Sequence, residues 1–180
     1  MKIYVMRHGQ TVWNSMGITQ GRSQNRLSQS GKMQAEMTAE KAKNIKFDLI
    51  ICSPLMRTVQ TANIMNKYHN VKIVKNEKIN ENDQGIFTRR KYSTLTEEEK
   101  MLKEQRAKIT KMESIEEIEL RTKAFIEEVK EKYAEKVILV VTHNIVASAI
   151  EAVSKNVKFS EYAFRNLFSF KNAELREIEI

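Results

Sequence analysis

Arg7, His8 and Gly9 follow directly on the apolar run Ile3-Tyr4-Val5-Met6, which places an imidazole beside a guanidinium where a strand gives way to a loop. In open α/β sheets, ligands gather at the carboxyl ends of strands. An imidazole next to a permanent cation suits attack on phosphorus, with the ring nitrogen as nucleophile and the cation holding the anionic oxygens. A lone His-Arg pair is also common on surfaces, so the tripeptide takes its meaning from later segments. These are Asn14 within R-H-G-Q-T-x-x-N; Gly21-Arg22 and Leu27-Ser28-x-x-Gly31; Ser53-Pro54-Leu55-x-Arg57-Thr58-x-x-Thr61-Ala62; Glu81-x-Asp83-x-Gly85; and Thr142-His143. Each sets polar side chains at a loop, a strand end or a helix start.

The elements that must position them alternate between strand and helix. After the first strand, the pattern predicts a helix over 28–43, a strand from Leu49 to Cys52, and a helix to about residue 68 with Ser53 as N-cap and Pro54 as its first residue. A strand follows at 71–74. The run V-I-L-V-V at 137–141 reads as a strand buried on both faces, because it is apolar and β-branched throughout. Capping boxes at Thr96/Glu99 and Ser114/Glu117 start two helices, the second reaching about Tyr133. A helix over 145–153 and a terminal hairpin of 167–170 with 175–180, turning near Asn172, complete the chain. The fold class expected is α/β: a three-layer sandwich with a mostly parallel sheet, helices on both faces and a small helical lid insertion. One domain spans 1–180, with the lid at about 86–115.

Composition narrows the function. The chain has 180 residues and a net charge of +8, and the excess is local: residues 1–85 carry 13 Lys and Arg against 6 Asp and Glu, whereas 137–180 carry 5 of each. That distribution favours an anion pocket near the N-terminal motifs over a nucleic-acid-binding tail. No apolar stretch approaches a membrane span and MKIYVMRHGQ has no signal-peptide core, so a soluble, cytoplasmic protein is expected. With one cysteine and three histidines, none at H-x-x-x-H spacing, neither a metal nor a cofactor is expected. Cys52 to Arg57 is C-x4-R, one residue short of the C-x5-R loop of cysteine phosphatases. His69, in K-Y-H-N, reads as an exposed residue at a helix end.

The combination R-H-G-x-T-x-x-N with S-P-L-x-R-T-x-x-T-A and a later strand-His resembles the histidine phosphatase superfamily, the phosphoglycerate mutase-like family, over residues 3 to about 150. The resemblance implies a phosphohistidine mechanism. His8 is then the nucleophile, Arg7 and Arg57 hold the phosphoryl oxygens, a cationic His143 assists them, and Glu81 is the general acid, with Asp83 as fallback. Asn14, backbone amides near Gly9, Gly21 and Asn144 complete the expected binding set. Three departures stand out: Gln24 and Arg26 replace the acid and proline of G-R-x-D-x-P-L-T, Asn144 follows His143 where glycine is usual, and Arg89-Arg90 lies where a second glycine is common. Those arginines offer a second anion contact or an exposed charged loop. The expected activity is hydrolysis of a small phosphomonoester. A phosphoglycerate mutase is the alternative, disfavoured because no proline follows Pro54 to build the usual lid; a non-catalytic phospholigand-binding module is a third. The identity of the substrate and the oligomeric state are not encoded in these motifs.

Overall fold

The computed structural model describes residues 1–162 and 168–180. Its sheet is built from β1 (Lys2–Arg7), β2 (Leu49–Cys52), β3 (Lys72–Lys75), β4 (Ile138–Thr142) and β5 (Leu175–Glu179), in the order β3-β2-β4-β1-β5. The first four run parallel and β5 is antiparallel to β1. All residues of β2 and β4 are buried, as expected for central strands covered on both sides. Along β4 the pleat sends Ile138 and Val140 to one face and Leu139 and Val141 to the other. The first face packs on α5 (Ile115–Tyr133) and α6 (Asn144–Ser154) through Phe125, Ile126, Val146 and Ile150. The second packs on α2 (Gln29–Ala42) and α3 (Met56–Met65) through Ala39, Ala42, Ala62 and Met65. These are the three layers expected. Among the described residues, no helix is long and apolar enough to cross a membrane.

Shorter elements are α1 (Val12–Ser15), α4 (Glu97–Glu104) and α7 (Phe159–Tyr162). Both capping boxes form: Thr96 with Glu99 opens α4, and Ser114 with Glu117 opens α5. Two local expectations are corrected. Helix α3 begins at Met56 with Leu55 at its N-cap position and no side-chain cap, so Ser53 and Pro54 precede the helix. Ser53 is released from capping for another use. The terminal hairpin does not form as drawn: the chain turns at Asn172 and Ala173, but β5 pairs with β1, and Phe168–Phe170 is not a strand. Leu167 lies outside the described residues.

Strand register sets up the site. Arg7 is opposite Thr142 and Cys52 is opposite Val141, so β1, β4 and β2 end side by side. The residues that follow these ends are His8, His143 and Ser53. Thr142 Oγ1 donates to the Ile79 carbonyl at 2.7 Å, which draws the segment carrying Glu81 to the same edge.

Candidate active site

His8 is buried and its Nδ1 lies 2.7 Å from the Gly9 carbonyl. Only an N–H can satisfy that oxygen, so Nδ1 carries the proton and Nε2 keeps its lone pair. Burial, and then Arg57, push the imidazole pKa well below the ordinary value, with Arg7 acting in the same sense. The ring is therefore neutral and nucleophilic at neutral pH. The His8 and His143 rings meet edge to face, with centroids 5.3 Å apart.

Gly9 is required by a close approach. A Cβ there would sit 2.3 Å from the Gly31 carbonyl oxygen, and one on Gly31 would sit 1.9 Å from that of Gln10. The histidine loop thus lies directly against the first turn of α2, and Ser28, the N-cap of that helix, donates to the Gln10 carbonyl at 3.0 Å. The Gly9 amide donates to Thr61 Oγ1 at 3.2 Å. Thr11 caps α1 and Asn14, within the helix, completes the capping box: its Oδ1 accepts the Thr11 N–H at 3.1 Å, and its own N–H donates to Thr11 Oγ1 at 3.1 Å.

Arg57 is fully buried. Its Nη1 donates to the Ser23 carbonyl and its Nη2 to the Gly21 carbonyl, each at 2.9 Å. Gly21 therefore contributes its oxygen to Arg57, in a backbone conformation with φ +49° that glycine adopts without strain. Arg7 donates from Nη1 to the Phe170 carbonyl at 2.7 Å. Among the described residues, Arg7 Nε, Arg57 Nε and His143 Nδ1 are buried without a hydrogen-bond partner. Buried polar groups are ordinarily satisfied. Unpaired donors around a neutral imidazole make a pocket suited to an anion rich in oxygen.

Glu81 places Oε2 3.8 Å from Arg57 Nη2 and 3.5 Å from His143 Nδ1, while Oε1 accepts the Asn82 N–H at 3.0 Å. Burial raises its pKa and Arg57 opposes the rise. His143 is fixed from behind by Ser53, whose Oγ lies 2.8 Å from Nε2. Nδ1 is thereby turned toward Glu81, and Ser53 Oγ also reaches Asn80 Oδ1 at 3.4 Å. Burial, then Arg57 and His8, depress the His143 pKa well below the imidazole value. In the free pocket burial, with Arg57 next, holds His143 neutral.

The potential ligand atoms of His8, Glu81 and His143 lie within 4.8 Å of one another, a grouping that local spacing does not reveal because three loops supply it. The fully buried Arg57 and the part-buried Arg7 beside it favour an anion over a cation. Asp83, the fallback acid, is occupied in the turn: Oδ1 accepts the Gly85 N–H at 2.8 Å. Arg90 forms a two-pronged pair with Glu99, and Arg89 is exposed at φ +70°. For Arg90 the second-anion reading gives way to an internal ion pair. His69 is only half exposed, packed edge to face on Phe47 at 4.7 Å, and burial lowers its pKa.

Asn144 opens α6, and its Oδ1 accepts the Phe170 N–H at 2.8 Å and the Ser169 Oγ–H at 3.2 Å. Sequence reasoning missed two contributors. Ser53 has the local spacing of a cap, and Lys103 carries no motif. Lys103 Nζ donates to Thr19 Oγ1 and Gln84 Oε1, each at 3.0 Å, and burial lowers its pKa to about 8. The 17–19 segment is further joined to 89–92 by backbone bonds from Thr19 N to the Arg90 carbonyl and from Arg89 N to the Thr19 carbonyl.

A bare imidazole nitrogen beside two guanidiniums, at the carboxyl end of a parallel sheet, is the arrangement of a phosphoryl-transfer α/β protein. The chain belongs to the histidine phosphatase superfamily (branch 1), whose family model matches residues 3–180. It is 29% identical to a probable phosphoglycerate mutase, GpmB, of Enterobacter sp. (strain 638), in a 185-residue alignment covering 99% of this chain and 85% of the relative. It is 31% identical over 154 residues to the uncharacterized phosphatase PhoE of Bacillus subtilis (strain 168), covering 82% of this chain and 74% of that one. The fold superposes on a putative alpha-ribazole-5'-P phosphatase from Escherichia coli with a TM-score of 0.88 at 24% identity, covering 100% of this chain and 91% of the other.

Proposed function

We propose that the protein hydrolyses a small phosphomonoester in two displacements at His8. The observation that carries this reading is the His8 Nδ1 contact with the Gly9 carbonyl at 2.7 Å, which leaves Nε2 as a fixed nucleophile beside the fully buried Arg57 and the part-buried Arg7. In the first step Nε2 bonds to phosphorus, the bond to the leaving oxygen breaks, and Glu81 gives that oxygen its proton. In the second, Glu81 takes a proton from water, which attacks phosphorus and releases His8. Arg7, Arg57 and the His143 Nδ1–H hold the equatorial oxygens, whose charge a low-dielectric pocket stabilises strongly. The approaching dianion opposes the depression of the His143 pKa and raises that of Glu81, favouring the proton each donates. Asn14 retains an amide nitrogen for the same oxygens.

Residues 86–115, the segment containing α4, act as the cover that selects the leaving group together with the 17–26 loop. Support comes from the Lys103 bridge and the backbone pairing of 17–19 with 89–92. A mutase is the second reading, favoured by the GpmB likeness over nearly the whole chain. The absence of any proline after Pro54 favours the phosphatase, since the proline-bearing lid that shields a mutase phosphohistidine is missing.

The test is a brief incubation with labelled substrate and an alkaline quench, followed by a screen of monoesters. Acid-labile label on the wild type, none on His8→Ala, and phosphate release from at least one monoester are expected. Label that persists on His8→Ala removes His8 from the nucleophile role. Rapid conversion of 3-phosphoglycerate to its isomer with no phosphate release makes the protein a mutase.

A further inference from the structure

Asn144 begins α6 one residue after His143, yet its carboxamide oxygen is turned to the chain segment 169–170, where it accepts from Phe170 N–H and Ser169 Oγ–H. The other backbone group of Phe170, its carbonyl, accepts from Arg7 Nη1 at 2.7 Å. One residue is thus held at both its polar main-chain atoms, by the helix that follows His143 and by the cation that precedes His8. Its surroundings allow it little travel. The Phe170 ring is 1% exposed, and the Arg176 guanidinium lies 3.9 Å from its centroid. Arg176 Nη2 also donates to the Ser169 carbonyl at 2.7 Å, and Glu151 and Glu174 hold the same guanidinium at 2.7 Å each.

We propose that Asn144 is a positioning residue for Arg7, acting through the main chain of Phe170; the inference rests on the phosphatase reading above. A guanidinium recognises phosphoryl oxygens through planar, directional N–H groups, so its value depends on orientation as well as charge. Arg7 leaves Nε without a partner among the described residues, and the bond from Nη1 to Phe170 fixes the direction in which that N–H points. Asn144 secures the acceptor. The position where glycine is usual in the resembling family therefore carries, in this chain, a side chain that ties the β4–α6 junction to the end of β1. This replaces the direct substrate contact expected of Asn144 with an indirect one.

The experiment is a double-mutant cycle of Asn144→Ala and Arg7→Ala, read by inhibition with inorganic phosphate and by kcat/KM for an aryl phosphate. Alone, Asn144→Ala should weaken phosphate inhibition and lower kcat/KM by roughly tenfold, the scale of one hydrogen bond to a charged group. In the Arg7→Ala background it should add less than about a twofold loss, because the group it orients is already gone. An equal loss in both backgrounds, or no loss in either, overturns the proposal: the first assigns Asn144 to the substrate or to His143, the second to neither. If Asn144→Ala does not fold, Asn144→Ser runs the same cycle, since its shorter side chain withdraws the oxygen from Phe170. A wild type that hydrolyses no monoester and is not inhibited by phosphate overturns the functional reading and the relay with it. A wild type that does both, with a cycle showing no coupling, overturns the relay alone.

Discussion

Ser53 Oγ lies 2.8 Å from His143 Nε2, so the residue that follows β2 orients the imidazole that follows β4. The hydroxyl fixes which ring nitrogen faces Glu81. Ser53→Ala should lower kcat by about tenfold while leaving a buried nitrogen unpaired, at a cost of about 1–3 kcal/mol in stability. Steady-state kinetics and thermal unfolding check the two effects. An unchanged kcat would show that packing alone holds the His143 ring.

Glu81 is best tested through the leaving group. Glu81→Gln cannot supply a proton, so hydrolysis of an alkyl phosphate should fall by about 10²-fold or more, the ordinary scale of general acid catalysis. An aryl phosphate, whose phenolate leaves unaided, should lose much less. Equal losses on both substrates would take the acid role away from Glu81.

Two buried neutral histidines make stability depend on pH with a definite sign. Both folded pKa values lie below the ordinary 6.5. As pH falls through that value the unfolded chain takes up protons that the folded one refuses, so stability present above it is lost toward the depressed folded values. Glu81, with a raised pKa, works in the opposite direction: its burial stabilises the fold below the carboxylate value of 4.5, and this contribution is lost as pH rises through the folded value. The melting temperature should drop between about pH 7 and 5, and drop less in His8→Asn, which has no proton to take up. An identical decline in that variant would place the acid sensitivity elsewhere.

Gly9→Ala places a methyl group against a backbone carbonyl that cannot rotate away. A loss of roughly 1–3 kcal/mol is expected from such overpacking. Moving the histidine loop off α2 should also reduce kcat/KM, because displacement of a nucleophile by about 1 Å can cost about 10²-fold. Denaturant titration and kinetics on one preparation test both. A stable, fully active Gly9→Ala would show that the loop shifts without moving His8.

The parts legible in the sequence were those governed by local rules. Continuous apolar runs marked β2 and β4, reciprocal side chains marked the starts of α4 and α5, and the motifs marked His8, Arg57, Glu81 and His143, which the fold brings together. What escaped was decided across the fold. Ser53 has every local property of a cap, but His143 claims its hydroxyl. The apolar residues Phe168 and Phe170 suggest half a hairpin. Arg7 and Asn144, distant in sequence, and Arg176, across the turn, take up polar groups of residues 168–170 that a second strand would have paired. Local sequence left Arg90 between an exposed charged loop and an anion contact, and Glu99, at the start of the next helix, pairs with it instead.

The sheet order also governs how the pocket comes into being. β1 and β2 are not neighbours: β4 separates them, and it is the last of the four parallel strands in the chain. A growing polypeptide can therefore make the His8 loop and the Arg57 helix early, but they have no strand to share until β4 inserts between them. That pairing spans most of the chain, and long-range parallel pairing is intrinsically slow. Insertion of β4 also delivers His143, so the step that completes the sheet and the step that assembles the pocket are the same, and recovery of turnover during refolding should lag collapse and coincide with the final cooperative phase.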